Sequence, residues 1–370
     1  MTAPRIEIDL TKIRRNAKVL VGRLARRGIG VTGVTKGVCG HPEIARAMLD
    51  GGVGRLADAR VSNVERMRGA GIEAPVVLIR TPMPSQADRI VRTCGVSLNT
   101  DLGVIHALAR SALGAGLVHR VVLMVELGDG REGILPGAVG AVARTVAGMR
   151  GVVLSGIGSN FGCLSGRAPD PAAMAVLSSL AEAVEADTGL PLETVSGGGS
   201  ASLPWAVGPR GPSRVDDLRL GEAILLGRDP LSGRPIEGLS TDAFTLVAEV
   251  IETVADVPRP VPVDPGRTAA RMEADGGGRR RVLLAIGHQD TDVAGLAMPG
   301  GLTPLGATGD HLVVGSGSAL AVGAEIFFQP NYSAVMRAMS APDVVKVARG
   351  GIAADRRGAE QDRSTRLEAA

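Results

Sequence analysis

Residues 31–42 read VTGVTKGVCGHP. An apolar, β-branched run closes on one lysine, Lys36, and a turn of small residues leads on to Pro42. Charge is costly beside apolar packing, so a lysine ending such a strand is either turned out to solvent or held for chemistry. A desolvated lysine has a lowered pKa, and its amine is then a nucleophile suited to Schiff-base formation. The stretch alone leaves both readings open. What it does define is a unit: strand, short turn, helix.

That unit repeats in both directions. Upstream, RIEIDL (residues 5–10) alternates and reads as a strand, with Thr11 placed to cap a helix whose apolar positions include Ile13, Leu20 and Leu24. Downstream, the expected helices are 42–50, 61–70, 85–93, 101–114, 137–149 and 171–187. The strands expected after them are 55–59, 75–79, 96–99, 120–127, 153–158 and 192–196, with a last strand near 218–226. Alternation with short links over about 220 residues argues a parallel sheet closed as a (β/α)8 barrel. After Asp229 the pattern changes. DPLSGRP is a turn or linker, and FTLVAEVIETV, RVLLAIG, HLVVG and AEIFFQ are strand candidates between Gly/Pro-rich turns. The only convincing helix there is 332–339. The expected organisation is an α/β chain: a barrel over 1–230, a mostly antiparallel β domain over 231–348, and a disordered polar tail over 349–370. Residues 264–280, rich in glycine and charge, read as a mobile loop.

Composition narrows the function. At 370 residues with 45% hydrophobic content, the chain can bury a large core in two domains. A net charge of +3 with scattered arginines, and only 2% aromatics, argues against nucleic acid. The run Arg279–Arg281 reads as a solvated loop. No apolar run is long enough to span a bilayer and the first residues lack a signal-peptide core. Cys39, Cys94 and Cys163 lie far apart, with neither metal-ligand spacing nor a disulfide framework. A cytoplasmic protein without a metal is expected.

In such a barrel the site lies at the C-terminal ends of the strands, and the unusual residues fall there. Lys36 ends the first barrel strand. Arg131 sits in the turn GDGREG, Asn160 follows SGIGS, the loop SGGGS spans Ser196–Ser200, and Arg219 lies inside the apolar stretch DLRLGEAILLG. A buried guanidinium needs an acceptor. A glycine loop at a strand end exposes N–H groups that can cradle a phosphate, although a plain flexible turn reads equally well. Lysine, phosphate cradle and buried arginine at one barrel mouth fit pyridoxal 5′-phosphate.

Further stretches carry a resemblance: IEIDLTKIRRNAKVL, VTKGVCGHPEIARAML, LADARVSNVERM, ELGDGREGI, GSNFGC, SGGGSASL, LRLGEAILLG, LAIGHQDTD and PNYSAVMRAM. With them the chain resembles the alanine racemase family of pyridoxal-phosphate enzymes, in its ornithine racemase branch, over residues 5–346. The resemblance implies that Lys36 carries the cofactor and serves as one of two bases. Arg131 would lie near the ring oxygen and the substrate carboxylate, and Asn160 would stand against the ring face. Ser200 and the N–H groups of Gly221 and Glu222 would hold the phosphate, and Arg219 would donate to the pyridine nitrogen. An arginine stays protonated and would leave that nitrogen unprotonated, a weaker electron sink that suits proton removal and return. Decarboxylases of similar architecture place a glutamate there.

Racemisation needs bases on opposite faces. The resemblance puts His288 where a partner subunit's tyrosine stands in alanine racemases, with Asp290 and Tyr332 in reserve. Met124 stands where some family members carry a modified lysine. The expectation is a homodimeric amino acid racemase acting on a small-molecule substrate, ornithine or another basic amino acid, or alanine. The rivals are a decarboxylase on the same fold and a non-catalytic pyridoxal-phosphate-binding protein.

Overall fold

The computed structural model describes residues 2–209, 211–255, 259–260, 272–273 and 280–350. Both the loop expected over 264–280 and the tail expected over 349–370 lie almost wholly outside the described residues. The chain divides into two compact units, one spanning Leu10–Ala243 and the other joining the amino-terminal residues through Asp9 to Phe244–Arg349.

The first unit is a closed barrel of eight parallel strands. After β1 (Arg5–Asp9), which belongs to the second unit, come β2 (Gly30–Val34), β3 (Arg55–Asp58), β4 (Val76–Leu78), β5 (Val96–Asn99), β6 (His119–Val125), β7 (Val152–Ser159), β8 (Thr194–Ser196) and β9 (Asp217–Leu220). The helices between them are α1 (Leu10–Ala25), α2 (Pro42–Asp50), α3 (Val61–Gly69), α4 (Ala87–Thr93), α5 (Leu102–Gly114), α6 (Val139–Ala147), α7 (Pro171–Thr188), α8 (Leu203–Val207) and α9 (Glu222–Leu226). Closure is between β2 and β9, where Thr32 lies beside Arg219. The barrel interior is filled by Val34, Ala57, Val77, Leu98, Val122 and Met124, each nearly inaccessible to water. Met124 is therefore a packing residue.

The stretch expected as one strand over 218–226 breaks at Gly221 into β9 and α9. The Ser200 hydroxyl accepts the Ala223 N–H at 3.2 Å, satisfying one of the first-turn donors that a helix leaves open. Local hydrophobicity cannot reveal this, because an apolar run suits a buried strand and a buried helix turn alike.

In the second unit β10 (Phe244–Val254), β11 (Arg259–Pro260), β12 (Met272–Glu273), β13 (Arg280–Leu284), β14 (Leu296–Ala297), β15 (Leu302–Ala307), β16 (Leu312–Ser316) and β17 (Glu325–Pro330) precede α10 (Tyr332–Ser340) and β18 (Val345–Arg349). Pairing is antiparallel except for β1 with β18, which is parallel. β1 also pairs antiparallel with β10. Residues 5–9, expected at the head of the barrel segment, thus contribute a strand to the β sheet. Their 5% exposed Arg5 forms a two-bonded pair with Glu325 and a third bond to Glu7. Arg280 and Arg281 lie in β13 rather than a loop, and Arg281 pairs with Glu252 at 2.7 Å.

Candidate active site

Lys36 follows β2 directly, in the short 3-10 turn Lys36–Val38. The turn is anchored through buried Thr35, whose N–H donates to the Ala57 carbonyl at 2.8 Å and whose Oγ1 donates to Asp58 Oδ2 at 2.7 Å. Asp58 also accepts from Asn63 Nδ2 and the Arg60 N–H, each at 2.9 Å. The chain then reverses at Gly40, φ +62°, where a Cβ would come within 2.8 Å of Asn63, so only glycine fits. Lys36 is half-buried, and burial pulls its pKa below the ordinary lysine value. Cys163 works against that, and the positive charges of Arg131 and Arg219 add to it.

Arg219 on β9 is 7% exposed. Its Nη1 donates to Ser196 Oγ at 2.5 Å, and its Nη2 donates to the Ser159 carbonyl and to Asn160 Oδ1, both at 2.8 Å. Ser196 Oγ in turn donates a hydrogen bond to Asp217 Oδ2 at 2.5 Å, and Thr32 Oγ1 donates to Asp217 Oδ1 at 2.5 Å. Burial presses the Arg219 pKa down and Asp217 opposes it. A guanidinium has so much room above neutral pH that it stays charged. Three of its five N–H hydrogens are taken, which leaves the Nε–H and one Nη1–H, of which the Nε–H is the candidate donor to a ligand.

The turn GDGREG after β6 is shaped by its own carboxylates. Glu126 Oε1 accepts the N–H groups of Gly128 and Gly130 at 2.6 and 3.0 Å. Asp129, 3% exposed, accepts the N–H groups of Cys163, Leu164 and Ser165 on one oxygen at 2.9, 3.1 and 3.3 Å, pinning the next loop. Burial works to raise its pKa, yet those bonds hold the carboxyl below its ordinary value. Glu132 grips Arg131 with both oxygens, Arg131 Nη2 reaching Oε1 at 2.6 Å and Nε reaching Oε2. The same Oε1 accepts Asn160 Nδ2 at 3.1 Å. Asp217, Ser196, Arg219, Asn160, Glu132 and Arg131 therefore form one hydrogen-bonded line.

Beside this line lies a glycine cradle. Gly198 has φ +99°, and a Cβ there would meet Ser202 Oγ at 2.5 Å. Ser202 is fully buried and its hydroxyl has no hydrogen-bond partner among the described residues. Ser200 and the Gly221–Glu222 start of α9 border the same space, with Gly221 so close to Val34 that a Cβ would lie 3.2 Å from Val34 Cβ. Open N–H groups, a spare hydroxyl and absent side chains suit a phosphate. Burial pushes the Glu222 carboxyl up to about 7, with Asp229 adding and Lys36 opposing.

The expected residues Lys36, Arg131, Asn160 and Arg219 thus meet at one end of the barrel, with Ser200, Gly221 and Glu222 at its edge. His288 lies in the other unit, exposed on the turn after β13, its N–H held by the Thr308 carbonyl at 2.9 Å. Asp290 Oδ2 accepts the Gly287 N–H at 2.9 Å and so shapes that turn, and Tyr332 starts α10. Sequence reading missed Glu132, Ser196 and Asp217. For Glu132 a signal existed, since it is a charge adjoining Arg131 in a glycine turn. Among the described residues no three His, Cys, Asp or Glu side chains are placed to hold a metal.

Fold and site together define a barrel enzyme whose mouth gathers a lysine amine, two guanidinium groups and an anion cradle. The family description "Alanine racemase, N-terminal domain" matches residues 8–229. The chain is 36% identical to a lysine racemase of Thermotoga maritima, covering 94% of this chain and 99% of that one. It is 30% identical to an ornithine racemase of Acetoanaerobium sticklandii, covering 93% and 99%. The alanine racemase structure from Streptomyces lavendulae superposes with a TM-score of 0.73 over 95% of this chain and 98% of that one, at 22% identity, a likeness of fold. The chain belongs to the alanine racemase family.

Proposed function

We propose that the chain is a pyridoxal-phosphate-dependent amino acid racemase acting on a basic amino acid such as lysine or ornithine, as a cytoplasmic homodimer. The single observation that carries the reading is Arg219, a permanently charged donor locked between Ser196 and Asn160 with its Nε–H left open. The residues fit the cofactor: the Gly198 cradle that a Cβ would fill and the unpartnered Ser202 hydroxyl suit its phosphate, with Ser200 and the Gly221 and Glu222 N–H groups beside them. When bound, pyridoxal phosphate supplies an electron sink for the charge left as an α-proton departs.

The chain's own residues do the rest. Lys36, its pKa lowered by burial and two guanidinium groups, is the amine that would attach the cofactor and take or return the α-proton on one face. Arg131 orients the substrate carboxylate through a charge-assisted fork. Asn160 fixes Arg219 while lining the ring side. Inversion needs a proton on the opposite face, and His288 is the proposed second base, an imidazole able to accept and return a proton, with a second copy of the chain supplying it. The basic substrate class rests on the two racemases above. Among the described residues the three cysteines form no disulfide, which fits a reducing compartment.

The test uses purified, cofactor-loaded protein in heavy water with a panel of L-amino acids. Proton NMR follows loss of the α-proton and chiral chromatography follows the D-isomer. Exchange with D-isomer formation from lysine or ornithine, abolished in Lys36→Ala, is expected. Carbon dioxide release without the D-isomer, or no turnover of any member, overturns the reading.

A further inference from the structure

We propose that Glu132 is a positioning residue that sets Arg131 in place and ties it to Arg219, so that the carboxylate-binding guanidinium is ordered before substrate arrives. The proposal rests on the reading above that Arg131 meets the substrate carboxylate. Glu132 holds Arg131 as a fork on a fork, Nη2 to Oε1 at 2.6 Å and Nε to Oε2. Adjacent side chains ordinarily diverge. Here Gly130, at φ +70°, and Gly133, whose Cβ would lie 2.4 Å from the Glu126 nitrogen, bend the turn so that both face one way. The grip extends inward, because Glu132 Oε1 accepts Asn160 Nδ2 at 3.1 Å and Asn160 Oδ1 accepts Arg219 Nη2 at 2.8 Å.

The physical need is clear. Arg131 leaves about a third of its side chain exposed, and a free arginine loses much rotamer entropy when a ligand orders it. Three cationic groups, Lys36, Arg131 and Arg219, also act on one another in this space. Glu132 places one negative charge between the two guanidiniums. Its bidentate geometry leaves the Arg131 donors on its other edge for a carboxylate.

The experiment titrates cofactor-loaded protein with propionate, a carboxylate that cannot react, and reads binding by calorimetry and by change in the visible absorption. Wild type, Glu132→Gln, Arg131→Met and the double variant are compared, with urea midpoints measured alongside. Glu132→Gln is expected to weaken propionate binding roughly ten- to a hundredfold, the cost of losing a charged partner. In the Arg131→Met background the same change is expected to alter binding by less than about twofold, since the two act as one unit. Glu132→Asp, which keeps the charge on a shorter arm, should lie between. It also serves if Glu132→Gln fails to fold. Additive effects overturn the proposal, as does a lowered urea midpoint with unchanged propionate binding, or no binding by wild type. Racemisation is measured separately on the same wild type. Propionate binding without racemisation would defeat the functional reading and leave this one standing, and the converse result would do the reverse.

Discussion

Asp217→Asn should both loosen the barrel and weaken cofactor retention, and the size of the first effect can be worked from its contacts. The Asp217 carboxylate is 3% exposed. It accepts Thr32 Oγ1 and Ser196 Oγ at 2.5 Å each and faces Arg55 Nη2 at 3.4 Å. The amide keeps the shape but removes the charge and turns one acceptor into a donor. Two charge-assisted bonds fall to neutral ones, a loss of about 1 kcal/mol apiece. The Arg55 pair, with that side chain 31% exposed, adds about 0.5–1 kcal/mol after solvent screening. A cavity of about 30 Å³ beside Thr32, Ser196 and Asp217 has room for a water that rescues part of this. The expected cost is therefore about 2–3 kcal/mol. Urea unfolding of cofactor-free protein, followed by fluorescence of Trp205, the chain's one tryptophan and a residue of α8 in the barrel unit, reads it directly. Cofactor affinity should fall about tenfold, because Ser196 no longer donates a hydrogen bond to an anion while holding Arg219. A loss below about 1 kcal/mol with unchanged cofactor affinity would refute the idea that Asp217 fixes Arg219.

His119 is 1% exposed, bonded to Ser97 Oγ at 2.8 Å, and burial lowers its pKa to about 4. The unfolded chain then binds the extra proton between about pH 6.5 and 4, so stability is intact above that window and falls by up to about 1.4 kcal/mol per pH unit within it. Guanidinium titrations at several pH values should show a shallower slope for His119→Gln, and an identical slope would remove His119 from the account. Asn16, fully buried on α1, donates to the Ile224 and Ser240 carbonyls at 3.0 and 2.8 Å and accepts the Ser240 N–H at 2.7 Å. Asn16→Ala strands three backbone groups and should cost about 2–4 kcal/mol in denaturant unfolding, and a loss under about 1 kcal/mol would mean that water takes their place.

Much of the barrel was legible because a period of strand, turn and helix is a local signal. Lys36, Arg131, Asn160 and Arg219 could be placed at the strand ends for the same reason. Arg219 even announced a need, being a guanidinium within an apolar stretch. Its acceptors did not show, since Ser196 and Asn160 lie 23 and 59 residues away and only barrel closure brings them near. Glu132 hid for a different reason. A carboxylate beside an arginine in a glycine turn reads as a solvated charge until the bend that aligns the two is known. The break at Gly221 was invisible because it depends on a hydroxyl delivered by the turn that follows β8.

The strand β1 opens the chain but completes a sheet whose other members, β10 and β18, come after the entire barrel. During synthesis at roughly 5–20 residues per second, it waits tens of seconds for its neighbours while the barrel is already able to form. Its Arg5–Asp9 backbone spends that time as an unpaired edge, open to other chains. Extensions fused ahead of Pro4 would sit where β18 docks, at Val345 beside the Pro4 carbonyl. The amino terminus is thus the last stitch of the fold, and a tag there would be felt at the opposite end of the sequence.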